Sequence, residues 1–431
     1  MNRNDIYIAP GEAITVETPG VLLAHVFDQL GYPYRLVTFD YQPEATLVWR
    51  QLGINPANVI NLFDFFQGVV GMSTVNGRFS DLNLALTTVH LPDEKQIALM
   101  NAQGEAGQMS AYALDASRLH RLTLMDTDDQ QQVIYDSRGF LSARKLLKQS
   151  SEVTYYSAIG ELVLTASAAG YQLATQSQWL SFQELTTQFL NLNGALERQN
   201  WLIATQSDHW RLASKFKPHQ LWLDSIDAPD ETLTLDELDL IMIKPHTTNA
   251  MRQKYNQILV NLTGDKTPAM LEQLLAILSQ TAVRTEIMVM LNVTPTNQEA
   301  TAACRIILDQ ANLAYRLLTL DSERLLNQTF QNSRLFIQSG SKLPIRLLKG
   351  VLEVGVPAIQ VLSNEVQTSQ QLAPILLVQP NEWLTCAAHV ERLLTDLNAW
   401  NQQHELLMQA AADIDRQTRQ RWQKLILMNE D

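Results

Sequence analysis

Apolar residues recur along the chain with two different periods, and the period changes twice. Residues 5 to 55 read as strand, helix, strand, helix. Val21 to Phe27 is an apolar helical run that stops at Gly31, and Tyr34 to Phe39 is a strand that follows Pro33. From about 84 to 172 the pattern alternates every second residue with turn residues between the runs, which predicts an antiparallel meander. Its plainest hairpin is Val153 to Tyr156, turning at Ile159-Gly160 into Leu162 to Leu164. After about 180 the helical period returns, with Phe182, Leu185, Phe189 and Leu190 on one face, then short strands at Trp201 to Ala204 and Leu221 to Leu223.

Residues 238 to 380 alternate strand and helix throughout. Predicted strands are Leu240–Ile243, Ile258–Asn261, Glu286–Leu291, Tyr315–Leu318, Leu335–Ile337 and Ile359–Leu362. Helices such as Ala269 to Leu278 and Glu299 to Gln310 fall between them, and from Asn381 onward the chain reads as helix. Continuously apolar strands separated by amphipathic helices predict a parallel sheet covered on both faces. The expected architecture is therefore α/β, with two Rossmann-like domains and an antiparallel β-sheet insertion in the first. Its boundaries are 1–57 for the start of the first domain, 58–175 for the insertion, 176–237 for the remainder, and 238–431 for the second domain with its terminal helices.

A chain of 431 residues is too long for one ordinary core, which agrees with that division. The net charge is −13 and the cations are dispersed, apart from Arg416, Arg419, Arg421 and Lys424. Nucleic-acid binding needs clustered cations to displace counterions, so nucleic acid is not an expected partner. The same reasoning leaves membrane contact only as a peripheral one, made through partners. The start, MNRNDIYIAPGEAITVE, lacks an apolar core after its basic residues and does not read as a secretory signal. Two cysteines, Cys304 and Cys386, make no disulfide framework and fit a reducing cytoplasm.

Candidate chemistry concentrates between Leu335 and Leu362. A buried strand runs into Ser339-Gly340-Ser341, then a helix, then Gly355-Val356-Pro357. Such a turn presents free N–H groups to an anion, and it equally serves as a helix cap. Bond-making chemistry would need a carboxylate or base nearby. None occurs from Gln338 to Leu352, where Lys342, Arg346 and Lys349 stand instead. These cations form either an anion site at a helix start or an exposed helix face. His246 follows a strand end and is a cleft candidate. Cys386 and His389, three residues apart, fall short of a zinc signature, so no metal site is expected.

The order of elements and several strings resemble the retaining GT-B glycosyltransferases that carry an extended β-sheet insertion. These are the O-GlcNAc transferases of the bacterial accessory Sec system and the poly(glycerol-phosphate) α-glucosyltransferases. Asn58 to Gln67 resembles the string leading into that family's insertion, and Tyr135 to Ser142 its Arg-Gly-Phe strand. Gly355-Val356-Pro357 stands at its Gly-x-Pro, and Arg421 to Leu425 resembles its closing helix. Active members carry two glutamates ahead of that Gly-x-Pro, one near the transferred sugar and one on the ribose. Counted back from Pro357, those places hold Lys342 and Gly350. The family's diphosphate-binding Arg and Lys fall on Asn261 and Lys266, so only the lysine remains. An asparagine supplies no fixed bidentate charge.

The resemblance with these departures implies a GtfB-like stabilising subunit, a glycosylation chaperone without catalytic residues or cofactor. Its implied partners are a catalytic glycosyltransferase paralogue and a Ser/Thr-rich adhesin polypeptide, in the cytoplasm. Two alternatives stand beside it. One is an active retaining UDP-sugar glycosyltransferase acting on protein or teichoic acid. The other is an accessory secretion-system component with a transferase-like fold.

Overall fold

The structure is a computed structural model. It describes residues 4–72 (except 9, 12, 13 and 17), 87–90, 96–101, 104–112, 119–124, 131–147, 152–193, 199–204, 219–222, 233–234, 242–243, 256–261, 267–280, 287–292, 298–311, 313–318, 323–339, 343–362, 374–379 and 382–427. The chain divides into two units, Met1–Leu235 and Asp236–Asp431.

The first unit opens with a parallel sheet built around Asn4–Tyr7, every residue of which is buried. Tyr34–Thr38 and Val59–Asn61 follow on one side; Gln199–Ala204, His219–Trp222 and Leu233–Thr234 follow on the other. In chain order the strands lie sixth, fifth, fourth, first, second, third, which is the doubly wound arrangement. Helix Pro19–Leu30 starts with proline, whose missing N–H costs nothing there, and ends at Gly31 with φ 75°.

Between the third and fourth of these strands the chain forms a nine-stranded antiparallel sheet, from Thr87–His90 to Gly170–Leu173, with neighbours in chain order throughout. The tyrosine-bearing hairpin pairs Val153–Tyr156 with Leu162–Ser167. This sheet changes its buried face along its width. Ile134, Ala143, Tyr155, Leu164 and Leu173 pack with Leu62, Phe63, Leu185 and Phe189 of the parallel-sheet domain. Leu99, Met109, Leu122 and Val133 form a second cluster. The strand Gln131–Tyr135 contributes adjacent residues, Val133 and Ile134, to the two clusters, so it is buried on both faces.

Polar groups fix the insertion to its host. Arg138 holds Asp136 through two bonds of 2.8 Å and reaches Asp64 Oδ1 at 2.7 Å. Its remaining nitrogen donates to the Val69 carbonyl at 3.1 Å. Gln67 donates to the carbonyls of Ser142 and Tyr156, at 2.9 and 2.8 Å, and Tyr41 donates to the Ser142 hydroxyl at 2.9 Å. Asn61 caps the short helix that carries Asp64, accepting from the Phe63 and Asp64 N–H groups. Burial raises the phenol pKa values of Tyr41 and Tyr155 well above the ordinary range.

The second unit repeats the doubly wound order. Asn256–Asn261 lies between Ile287–Asn292 and Leu335–Ser339; Ala314–Leu318 closes one edge, and Ala358–Val361 with Leu376–Val378 the other. Helices Thr267–Gln280, Gln298–Gln310 and Trp383–Thr395 pack with one apolar cluster; Glu323–Asn332, Ile345–Val354 and Leu397–Leu427 pack with the other. Met242 and Ile243 are buried but not in a strand, contrary to the strand expected there; Ile243 N–H is taken by Asp415 of the terminal helix at 3.1 Å. That helix also donates from Trp400 to the Arg334 carbonyl at 2.7 Å, and its His404 ring nitrogen lies 2.7 Å from the Gly355 carbonyl oxygen. Among the described residues no helix is long and apolar enough to cross a membrane.

Replacing Arg138 with alanine leaves two carboxylates without their shared cation. It should destabilise the first unit by about 3–5 kcal/mol, read as a lowered urea midpoint. Asp64 carries a second prediction, because burial raises its pKa against the opposing pull of Arg138. A folded pKa above the unfolded one means the folded state binds the proton more tightly. This group's contribution to stability therefore falls as pH rises from about 4 through the folded pKa. Asp64→Asn keeps an acceptor for Arg138 and should gain on the wild type as pH rises from 4.5 to 8. Urea midpoints across that range test it.

Candidate functional site

The order of strands in the second sheet reverses between Asn256–Asn261 and Leu335–Ser339, and ligands of doubly wound folds sit outside the strand ends at such a reversal. Apolar runs, Ile258–Val260 in one strand and Leu335–Ile337 in the other, lead to polar last residues. Asn261, Gln338 and Ser339 end them and are 3%, 1% and 0% exposed. Asn261 stands opposite Gln338 in register, and Gln338 opposite Gln360 on the next strand. Side chains at in-register positions of neighbouring strands stand on one face, so three buried amides form a row. Asn261 Nδ2 donates to Gln338 Oε1 at 2.5 Å, and Gln338 Nε2 donates to the Ser339 carbonyl.

The helix after this reversal is Ile345–Val354, entered through Pro344 and closed by Gly355 with φ 64°. It is buried almost all round: Arg346 is 7% and Glu353 5% exposed. An exposed face therefore does not describe Arg346, while Lys349 is half-buried and lies 3.9 Å from Glu353 one turn on. Gly350 sits on the inner side against helix Glu323–Asn332. A Cβ built there would lie 2.6 Å from two ring carbons of Phe330, which is fully buried. That approach is closer than a side-chain carbon can make to an aromatic ring held on all sides.

Of the candidate positions, the structure places Asn261, Ser339, Arg346 and Gly350. Asn261 and Ser339 meet at one end of the sheet, and Gly350 is turned into the core. Lys266, His246, Gly340, Ser341 and Lys342 lie outside the described residues. Cys386 is fully buried among apolar side chains, which pushes its thiol up to about 11, above the range of a reactive thiolate. Burial and Arg392 lower the pKa of His389. Among the described residues no three His, Cys, Asp or Glu side chains gather as metal ligands.

Sequence reasoning passed over Gln338, noted only as the start of the stretch without an acid, and Gln360, read only as a strand residue. The available signal was a lone amide within or directly after an otherwise apolar buried run, since a buried amide requires partners.

No protein-family model and no curated protein matches this sequence. Solved structures do match it along its whole length. A chain of the accessory secretory protein 1, 2 and 3 structure from Streptococcus pneumoniae superposes with a TM-score of 0.74 at 13% identity, covering 99% of both chains. A chain of the glycosylation-associated Gap123 complex from Streptococcus agalactiae gives 0.73 at 12% identity, over 97% of this chain and 99% of that one. The pneumococcal O-GlcNAc transferase GtfA, in complex with UDP and GlcNAc, also gives 0.73 at 12% identity, over 99% of both. The chain thus has the GT-B-type fold of these proteins, two Rossmann-like domains of which the first carries a long antiparallel sheet.

Proposed function

We propose that this protein is a non-catalytic transferase-fold subunit of a cytoplasmic assembly that glycosylates or exports a Ser/Thr-rich adhesin. The observation that carries this reading is the contact between Gly350 and Phe330. The resemblance assigns to position 350 a glutamate that holds the donor ribose. Here that position is a helix-packing point where even a methyl group would collide with Phe330. Lysine occupies the other glutamate position, at 342, and asparagine the arginine position, at 261. Retaining transfer depends on neutralising the leaving group and on holding the donor in register with the acceptor. Without these three residues the chain has little means of doing either.

Fold similarity alone does not choose among partners, because a transferase and two accessory complexes resemble the chain equally well. A catalytic transferase paralogue is the partner that the sequence resemblance favours. Partnership with accessory secretion proteins is the second reading, supported by the full-length match to a chain of the accessory secretory protein 1, 2 and 3 structure. In either case the long antiparallel sheet is the surface we assign to an extended polypeptide, because strand edges take up chains by main-chain pairing.

The purified chain should turn over no UDP-sugar, measured as released UDP with and without an unfolded Ser/Thr-rich acceptor. Appreciable release by the chain alone would sink the proposal. Affinity purification from the native cell separates the two partner readings: recovery of a transferase that retains both glutamates supports the first, and recovery of secretion subunits the second. Gly350→Glu should lower the melting temperature by several degrees without creating turnover. An overpacked core position typically costs about 1–3 kcal/mol, and a buried carboxylate adds to that.

A further inference from the structure

We infer that the strand ends at the reversal of the second sheet form a closed amide lock, which takes the place of a nucleotide-diphosphate site and joins the two halves of the sheet. The inference rests on the non-catalytic reading above but goes further, since a silent subunit could still bind a donor.

A diphosphate site at this point needs cationic groups or free backbone N–H groups facing accessible space. Among the described residues the strand ends offer neutral amides instead. Asn261 and Gln338 bond to one another, and the remaining amide group of Gln338 donates to the neighbouring Ser339 carbonyl. The two side chains are 77 residues apart in sequence and almost wholly buried. An amide donor spent on a buried protein acceptor is not available to a phosphate, and freeing it costs its desolvation. Gln360, 8% exposed, continues the row on the next strand and extends the polar seam away from the reversal.

The location gives the lock its purpose. Asn256–Asn261 starts one half of the doubly wound sheet and Leu335–Ser339 the other; they pair through Ile258 to Asn261 with Leu335 to Gln338, next to a backbone bond from the Arg334 N–H to the Gln257 carbonyl at 2.8 Å. A side-chain bond at the last register position adds a tie across that seam, where an enzyme of this fold would keep an opening.

Two measurements on the full chain test the inference. Titration of the wild type with UDP, by calorimetry and by thermal shift, should give no saturable heat and no change in melting temperature up to millimolar concentration. Asn261→Ala and Gln338→Ala should each lower the melting temperature by about 2–8 °C, and the double variant should lose clearly less than the sum. Saturable UDP binding by the wild type would overturn the lock while leaving the non-catalytic reading intact. Consumption of a UDP-sugar would overturn both. Additive losses in the double variant would show that the two amides do not act as a pair and would also overturn the lock.

Discussion

The first unit depends on one guanidinium. Arg138 reaches Asp136 on its own loop, Asp64 on a helix of the parallel-sheet domain and the carbonyl of Val69 beyond that helix. A nine-stranded meander inserted into a Rossmann-like domain has short local pairings but little to orient it against its host. Apolar contacts between the two are non-directional. A planar cation with donors in a fixed fork supplies the direction, and burial makes each misaligned bond expensive. The amides of Gln67 and Asn61 extend this network to Ser142, Tyr156, Thr38 and Asp40. Removing the cation would therefore loosen the orientation of the whole sheet.

The second unit solves a related problem without charge. Its sheet has the strand order of a nucleotide-binding domain, yet the side chains at the reversal face one another. Two departures from an active transferase reinforce each other there. Gly350 allows helix Ile345–Val354 to press against Phe330, and the paired amides close the strand ends. On the proposed reading, each change exchanges a ligand contact for a protein one.

Much of the architecture was legible before any coordinates. The change from a helical to a two-residue period and back marked the inserted sheet. The strict strand–helix alternation after residue 238 marked the parallel one, because a strand buried on both faces has to be apolar throughout. The strings Asn58 to Gln67 and Tyr135 to Ser142 stood out as family-like, but their reason is spatial. Asp64 meets Arg138 and Gln67 meets Ser142 across more than seventy residues. Arg346 read as an exposed helix-face residue, with an anion site as the alternative, and proved buried, because its helix is covered on nearly every side.

By itself, then, the sequence determined the class of fold, the run of alternating strands that forms the antiparallel sheet, and the residues that stand at positions 261, 342 and 350, since period and residue identity are local properties. Strand order, the Arg138 network, the Asn261–Gln338 pair and the collision awaiting any side chain at position 350 were decided only by tertiary structure. Each depends on residues distant in the chain arriving within a few ångströms, and no local pattern encodes that distance. The glycine at 350 could be read from the sequence; that the ring of Phe330 closes over it could not.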